Sequence, residues 1–209
     1  MASHCPKCRQ VVADDIVCCA ELQNTWKCRS CGKLSTGFVV PYGRCFMCGG
    51  EIGVVQGYAA DDPGKARAIE EAVQYEVNMY HFYRIAKERT ANELLRTVLE
   101  ELYLKEQDHL DELDGKYHVH LDESIRQPSA ETDALLGSWL FEGIHFDDQT
   151  HVLAVYDKAI EMERRTRDHF LDRAGSLPEG TEKEIFRELA AEEEEHVALL
   201  ETERAQLED

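Results

Sequence analysis

Two sets of three side chains in this sequence have the types and the spacing of metal ligands. Glu76 is followed 30 residues later by Glu106 and then by His109; Glu163 is followed at the same intervals by Glu193 and His196. Each member of one set maps onto the other by a shift of 87 residues. Carboxylate and imidazole are the donors of hard to borderline metal ions, and two equivalent sets in one chain imply a dinuclear site able to change oxidation state. A third group is soft. All eight cysteines lie in the first 48 residues, as the pairs Cys5/Cys8, Cys28/Cys31 and Cys45/Cys48 in Cys-x-x-Cys spacing and as the adjacent Cys18 and Cys19. Paired thiolates of this kind bind zinc or iron tetrahedrally.

The elements that must position these ligands follow from patterning. Residues three or four apart share a helix face, so Glu106 with His109, and Glu193 with His196, each point to one place. The ligands interrupt apolar stripes: Ile69, Val73, Glu76, Tyr80 and Tyr83 in the first helix, and Leu95, Leu99, Leu102, Glu106, His109 and Leu113 in the second. The third carries Tyr156, Ala159, Glu163, Thr166 and Phe170, and the fourth Phe186, Leu189, Glu193, His196 and Leu200. A core-facing carboxylate costs several kcal/mol unless it is paired or metal-bound. Four carboxylates carry a charge of −4, which two ferrous ions would neutralise. Taken singly, a Glu-x-x-His is more often a solvated surface pair. Six ligands in register with apolar stripes are not explained that way, whereas the neighbouring Glu100, Glu101, Glu192, Glu194 and Glu195 are.

Asp62-Pro63 predicts the start of a helix over 63–89. Thr90-x-x-Glu93 reads as a capping box for a second over 91–114, and a third spans 149–174. Ser176-x-x-Glu179 and Thr181-x-x-Glu184 compete to open the fourth. The long connector 115–148 contains an apolar island, LLGSWLFEGI, that predicts a short helix. Four helices with a long crossover between the second and third define a mainly α, ferritin-like four-helix bundle. The first 57 residues, rich in Cys and Gly with short apolar runs, predict a separate small β module around metal, leaving 58–209 for the helical domain.

Composition narrows the function classes. The formal net charge is −19, and it is uneven: residues 1–58 hold six basic against four acidic residues, and 59–209 hold 17 against 38. An acidic body repels phosphate backbones, which disfavours nucleic acid as a partner. No apolar run is long enough to span a membrane and no export signal opens the chain, so a cytoplasmic protein is expected and the cysteines read as metal ligands rather than disulfides.

With both ligand systems in view, the chain resembles the rubrerythrin branch of the ferritin-like diiron superfamily over nearly its whole length. The segment TWKCRSCGKLSTGFVVPYGRCFMCGG, residues 25–50, resembles the family's rubredoxin-like module, with Trp26 before the first knuckle and a Pro-Tyr-Gly turn before the second. Its position ahead of the helices matches the reverse rubrerythrins. The resemblance implies that Glu106 and Glu193 bridge two non-haem iron ions, that Glu76, Glu163, His109 and His196 serve single ions, and that Tyr83 stands beside the centre as the catalytic candidate. It also implies that Cys28, Cys31, Cys45 and Cys48 hold one iron, or zinc. Cys5, Cys8, Cys18 and Cys19 are candidates for an additional zinc site, with His4 as the alternative ligand where the adjacent Cys18 and Cys19 do not both bind; a rival partition joins Cys5 and Cys8 to Cys28 and Cys31 as a zinc ribbon.

The implied activity is reduction of hydrogen peroxide, or dioxygen, to water with electrons passed through the thiolate iron. Transfer between subunits in many relatives implies a homodimer or larger assembly. A separate pyridine-nucleotide-dependent reductase would supply the electrons, since no Gly-x-Gly-x-x-Gly loop is present. Two departures stand out: Thr166 occupies the place of a further carboxylate in many relatives, and Phe170 that of a second tyrosine. A ferroxidase with a structural zinc head is the alternative within the same superfamily, and a non-catalytic metal-responsive interaction module the alternative outside it. His118 and His120 could bind metal as a strand-like pair but read rather as a surface loop, and His81, His145, His151 and His169 receive no role.

Overall fold

The computed structural model describes residues 3–4, 9, 11–12, 22–57, 63–117, 119, 121–146 and 151–207. The fold is mainly helical. Two short strands, β1 (Ser3–His4) and β2 (Val11–Val12), pair antiparallel near the start. A three-stranded antiparallel sheet follows, formed by β3 (Asn24–Cys28), β4 (Leu34–Gly37) and β5 (Ile52–Gln56) in the order β4-β3-β5. Among the described residues there are six helices: α1 (Pro63–Arg89), α2 (Glu93–Tyr117), α3 (Glu123–Arg126), α4 (Ala130–Leu140), α5 (His151–Ser176) and α6 (Thr181–Ala205).

The described structure divides into two compact units, and the division is not the compositional one at residue 58. One unit is Met1–Asn78 with Gln107–Leu140; the other is Met79–Glu106 with Phe141–Asp209. α1 and α2 contribute one half to each.

In the first unit, the sheet buries Trp26, Cys28, Phe38, Val39 and Val40, and the first half of α1 buries Ile69, Ala72, Val73 and Val77. A polar stripe on α1 joins these parts. Asn24 donates through Nδ2 to Glu70 Oε1 at 2.6 Å, the Val40 amide donates to Gln74 Oε1 at 3.3 Å, and the Tyr42 amide donates to Asn78 Oδ1 at 2.7 Å. Glu70, Gln74 and Asn78 are four residues apart and so lie on one face of the helix. The apolar island of the connector forms α4, whose Thr132 hydroxyl donates to the Phe46 carbonyl at 3.3 Å and whose Trp139 receives the Arg44 guanidinium over its ring at 4.6 Å.

In the second unit, α5 lies along α6, and the buried side chains include Phe82, Tyr83, Leu95, Leu99, Leu102, Phe170, Phe186 and Leu200. Burial of each large apolar side chain is worth about 1.5–3 kcal/mol, so this interior carries most of the unit's stability.

Three helix boundaries differ from the sequence expectation for local reasons. α2 is capped by Asn92, whose Oδ1 accepts from the Leu95 amide at 2.9 Å, and not by Thr90. The Thr90 hydroxyl is engaged one step earlier, accepting from the Asn92 amide at 3.2 Å and meeting His151 Nε2 at 2.9 Å. Asn92→Ala is expected to lower stability by about 1 kcal/mol in chemical denaturation, whereas a Thr90 cap would make that substitution neutral. α2 also runs through Gly115 to Tyr117, and α5 runs through Gly175 to Ser176, which leaves Thr181 to open α6. The expected cap at Asp62 lies outside the described residues.

Candidate metal centres

The thiolate group is built by two turns of the same design. In Cys28-Arg-Ser-Cys31-Gly32 the Gly32 amide donates to the Cys28 carbonyl at 3.1 Å, and in Cys45-Phe-Met-Cys48-Gly49 the Gly49 amide donates to the Cys45 carbonyl at 2.8 Å. Each turn closes on a left-handed residue, with φ of 75° at Gly32 and 69° at Gly49, a conformation glycine adopts without cost. The turns bring Cys28, Cys31, Cys45 and Cys48 together with ligand atoms all within 4.8 Å of one another. Cys28 Sγ lies 3.6 Å from Cys48 Sγ, and Cys31 Sγ lies 3.8 Å from Cys45 Sγ. A tetrahedral ion with bonds of about 2.3 Å to sulfur sets its sulfurs about 3.8 Å apart, so the four thiols already stand at coordinating separation.

Their electrostatics agree with this. The Cys31 backbone amide is the main influence that lowers the Cys28 thiol to about 6. At Cys48 the Gly50 amide acts to lower the pKa, but the sulfurs of Cys31 and Cys28 outweigh it and push the thiol up to about 12. A bound cation relieves that crowding by replacing the protons.

Gly50 makes this approach possible. A Cβ there would stand 2.4 Å from Ser30 Oγ, 2.8 Å from Ser30 Cβ and 3.1 Å from Cys28 Sγ. Gly50→Ala is therefore expected to weaken zinc or cobalt binding by the thiolates, read by competition with a chromogenic chelator.

The hard ligands come from helices. In the second unit Glu106 from α2, Glu163 from α5, and Glu193 and His196 from α6 place their ligand atoms within 4.8 Å of one another. The three carboxylates are wholly buried and His196 is 2% exposed. His196 Nδ1 stands 3.3 Å from Glu106 Oε1, 3.4 Å from Glu163 Oε1 and 3.3 Å from Glu193 Oε2. Tyr83, wholly buried on α1, donates its phenolic hydrogen to Glu163 Oε1.

Three acids and one imidazole in an apolar interior cannot all hold their ordinary charge. Burial, followed by the charge of Glu163, raises Glu193 well above the carboxylate range. Burial acts in the same direction on Glu163, but hydrogen bonds with Glu193, His196 and Tyr83 outweigh it and lower its pKa. Burial opposes a charged His196, yet Glu106, Glu163 and Glu193 together raise it. Burial and the nearby Glu163 and Glu106 keep the Tyr83 phenol protonated.

In the first unit, Glu76 of α1 is wholly buried and its Oε2 meets His109 Nδ1 at 3.0 Å. His109 follows Glu106 by one turn of α2. Its side chain is 12% exposed, against 2% for its sequence counterpart His196.

The donor set fits metal ions on a structural test. Glu76 Oε1 and Glu163 Oε2 are buried and accept no hydrogen bond, although a buried carboxylate oxygen without a donor costs several kcal/mol. A cation supplies the missing partner. The four cysteines and the buried Glu/His group could each hold metal ions. Cys5, Cys8, Cys18 and Cys19 lie outside the described residues; His4, which is described, is exposed. Thr166 is buried one turn after Glu163 and supplies no carboxylate.

Two features were not read from the sequence. Gly50 was hidden because a close backbone approach leaves no spacing signal. The Glu70, Gln74, Asn78 stripe did leave one, a polar repeat of four beside an apolar face. Among the described residues, no helix is long and apolar enough to cross a membrane. No protein-family model matches the chain, and neither a curated protein nor a solved structure is significantly similar to it.

Proposed function

We propose that this chain is a diiron oxidoreductase of the rubrerythrin type, built on a ferritin-like four-helix bundle, that reduces hydrogen peroxide with electrons entering through a tetrathiolate iron. The observation that carries the reading is the buried cluster of Glu106, Glu163, Glu193 and His196, with Glu76 and His109 as its register mates on α1 and α2. Carboxylate-rich sites with one imidazole per metal suit iron or manganese better than structural zinc. The two sets repeat one spacing at a shift of 87 residues, which supports a dinuclear reading.

Two ferrous ions held there would supply the two electrons that reduce peroxide. The chain's own residues have separate tasks. Glu76, Glu106, Glu163 and Glu193 set the charge of the centre, and His109 and His196 provide its neutral donors. The apolar residues around them exclude bulk water, which strengthens every electrostatic interaction inside. Tyr83 holds a proton at Glu163 Oε1, in a position to deliver it where oxygen is reduced. Electrons would come from a separate pyridine-nucleotide-dependent reductase to the thiolate site.

A second reading, a ferroxidase that handles iron, is favoured by one observation: Thr166 leaves the α5 position beyond Glu163 without a carboxylate. Metal analysis and visible spectroscopy of anaerobically purified protein distinguish the two. A red thiolate–iron chromophore, bleached by reductant and restored by stoichiometric peroxide, is expected for the first. Iron confined to the carboxylates, with zinc in the thiolates, would leave the ferroxidase. Zinc alone, unchanged by Glu106→Ala and Glu193→Ala, would reject both and leave a metal-responsive interaction module.

A further inference from the structure

We infer that the first unit holds a binding site for a small hydroxylated aromatic ring, a phenol or a hydroquinone, in the cavity between the three-stranded sheet and α3. The site does not depend on the peroxidase reading, because the chain's own side chains form it.

The cavity measures about 140 Å³. An engineered cavity of roughly 150 Å³ in a protein interior holds benzene, so this one has room for a single ring. Its main wall follows from strand pairing. Trp26 of β3 pairs with Ser35 of β4, and Ser35 and Gly37, two residues apart, share one side of the sheet. The Trp26 ring rests against Gly37, where a Cβ would stand 3.2 Å from Cζ3 and 3.4 Å from Cη2. A side chain at position 37 would displace the ring. On the opposite side the Ile125 amide donates to the Asp122 carbonyl at 2.8 Å, a turn that buries Ile125 and leaves Asp122 and Ser124 exposed.

Burial sorts the lining into a floor and a rim. Trp26, Val39, Val40 and Ile125 are buried and apolar, whereas Ser35 is half-buried and Asp122 and Ser124 are exposed. An apolar floor with a few polar groups is the usual make-up of a small-molecule site. The polar groups then decide the chemistry. Arg44 also lines the cavity, but its guanidinium is committed elsewhere, standing over the Trp139 ring at 4.6 Å and donating through Nη1 to the Gly49 carbonyl at 3.3 Å. Asp122 therefore supplies the charge at the rim. A carboxylate accepts hydrogen bonds and repels anions, so the fitting ligand is an uncharged ring that donates through a hydroxyl. Its apolar body lies against Trp26. Cys45 is part of the same wall, so an occupant stands against one of the four thiolate ligands.

The test uses the full chain loaded with zinc, a diamagnetic ion, and reads its amide and indole signals by NMR. Phenol is expected to shift the Trp26 indole N–H and the Gly37 and Ile125 amides along one saturable curve. Toluene, of similar size without the hydroxyl, should bind several-fold more weakly, and benzoate should leave these signals in place. Asp122→Asn should bring phenol down to the affinity of toluene, and Ile125→Trp, which fills the cavity from α3, should abolish binding of both. Asp122 is exposed, so its variant reads the site even where Ile125→Trp fails to fold.

No saturable shift of these signals with phenol in the native chain would overturn the inference. Benzoate binding as tightly as phenol would overturn it as well, because the rim would then select an anion. Neither outcome involves iron or peroxide, so failure of this site leaves the peroxidase reading where it stands.

Discussion

Glu193→Leu is expected to make the metal-free protein more stable while abolishing its response to metal. In the metal-free cluster three wholly buried carboxylates share one imidazole, and Glu193 is the member whose pKa burial and Glu163 drive up. Its side chain contributes to folding mainly by needing a cation. With Glu193 driven toward its neutral form, its removal leaves His196 beside Glu106 and Glu163, and taking a polar group out of an apolar interior is worth about 1–3 kcal/mol. Metal reverses the order. An ion at 100 times its dissociation constant stabilises the native state by about 2.7 kcal/mol, and the variant forfeits that increment. Thermal unfolding with chelator and with added Mn(II) checks both signs: the variant unfolds later than the native protein in chelator and does not shift with Mn(II). A variant less stable in chelator would show that Glu193 serves packing instead.

Cys45→Ser is expected to remove the thiolate metal and, with it, the folded state of the three-stranded sheet. The sheet's apolar interior is small, resting mainly on Trp26, Phe38, Val39 and Val40. Structural ions in comparable thiolate sites contribute apparent binding energies of about 10–16 kcal/mol, as much as or more than the roughly 6–12 kcal/mol that those four side chains supply. Trp26 reports the loss: its fluorescence should move to the red as the sheet opens. The far-UV helical signal should remain largely in place, because α5 and α6 carry their own core. Unshifted Trp26 emission with metal gone would show that the sheet folds without its ion.

The helices were legible because their apolar residues recur at the helical period with few exceptions, and the ligands were legible because they break that pattern at equal heights. Glu76, Glu106, Glu163, Glu193 and His196 are buried, as an interrupted stripe requires. The limits of α2 were harder to read. Thr90, Asn92 and Glu93 offer competing capping arrangements, and His151, distant in sequence, meets the Thr90 hydroxyl. Helix ends are decided by single hydrogen bonds, whereas helix bodies are decided by many side chains together. The knuckle glycines could be expected from the turn, but Gly50 depends on where Ser30 and Cys28 arrive in space. The two compact units cut through α1 and α2, and no compositional signal marks that division.

α1 has a consequence for how freely this sequence can vary. Between positions 68 and 87 none of its residues is exposed. One side presents the apolar row with Glu76 and Tyr83, and another is taken up by Asn24, Val40 and Tyr42 through Glu70, Gln74 and Asn78. Most helices of a small protein keep a solvent side on which substitutions drift at little cost. This one has none over five turns, so its polar residues are as constrained as its apolar ones. A relative too diverged to recognise from its surface would still be held to this stretch.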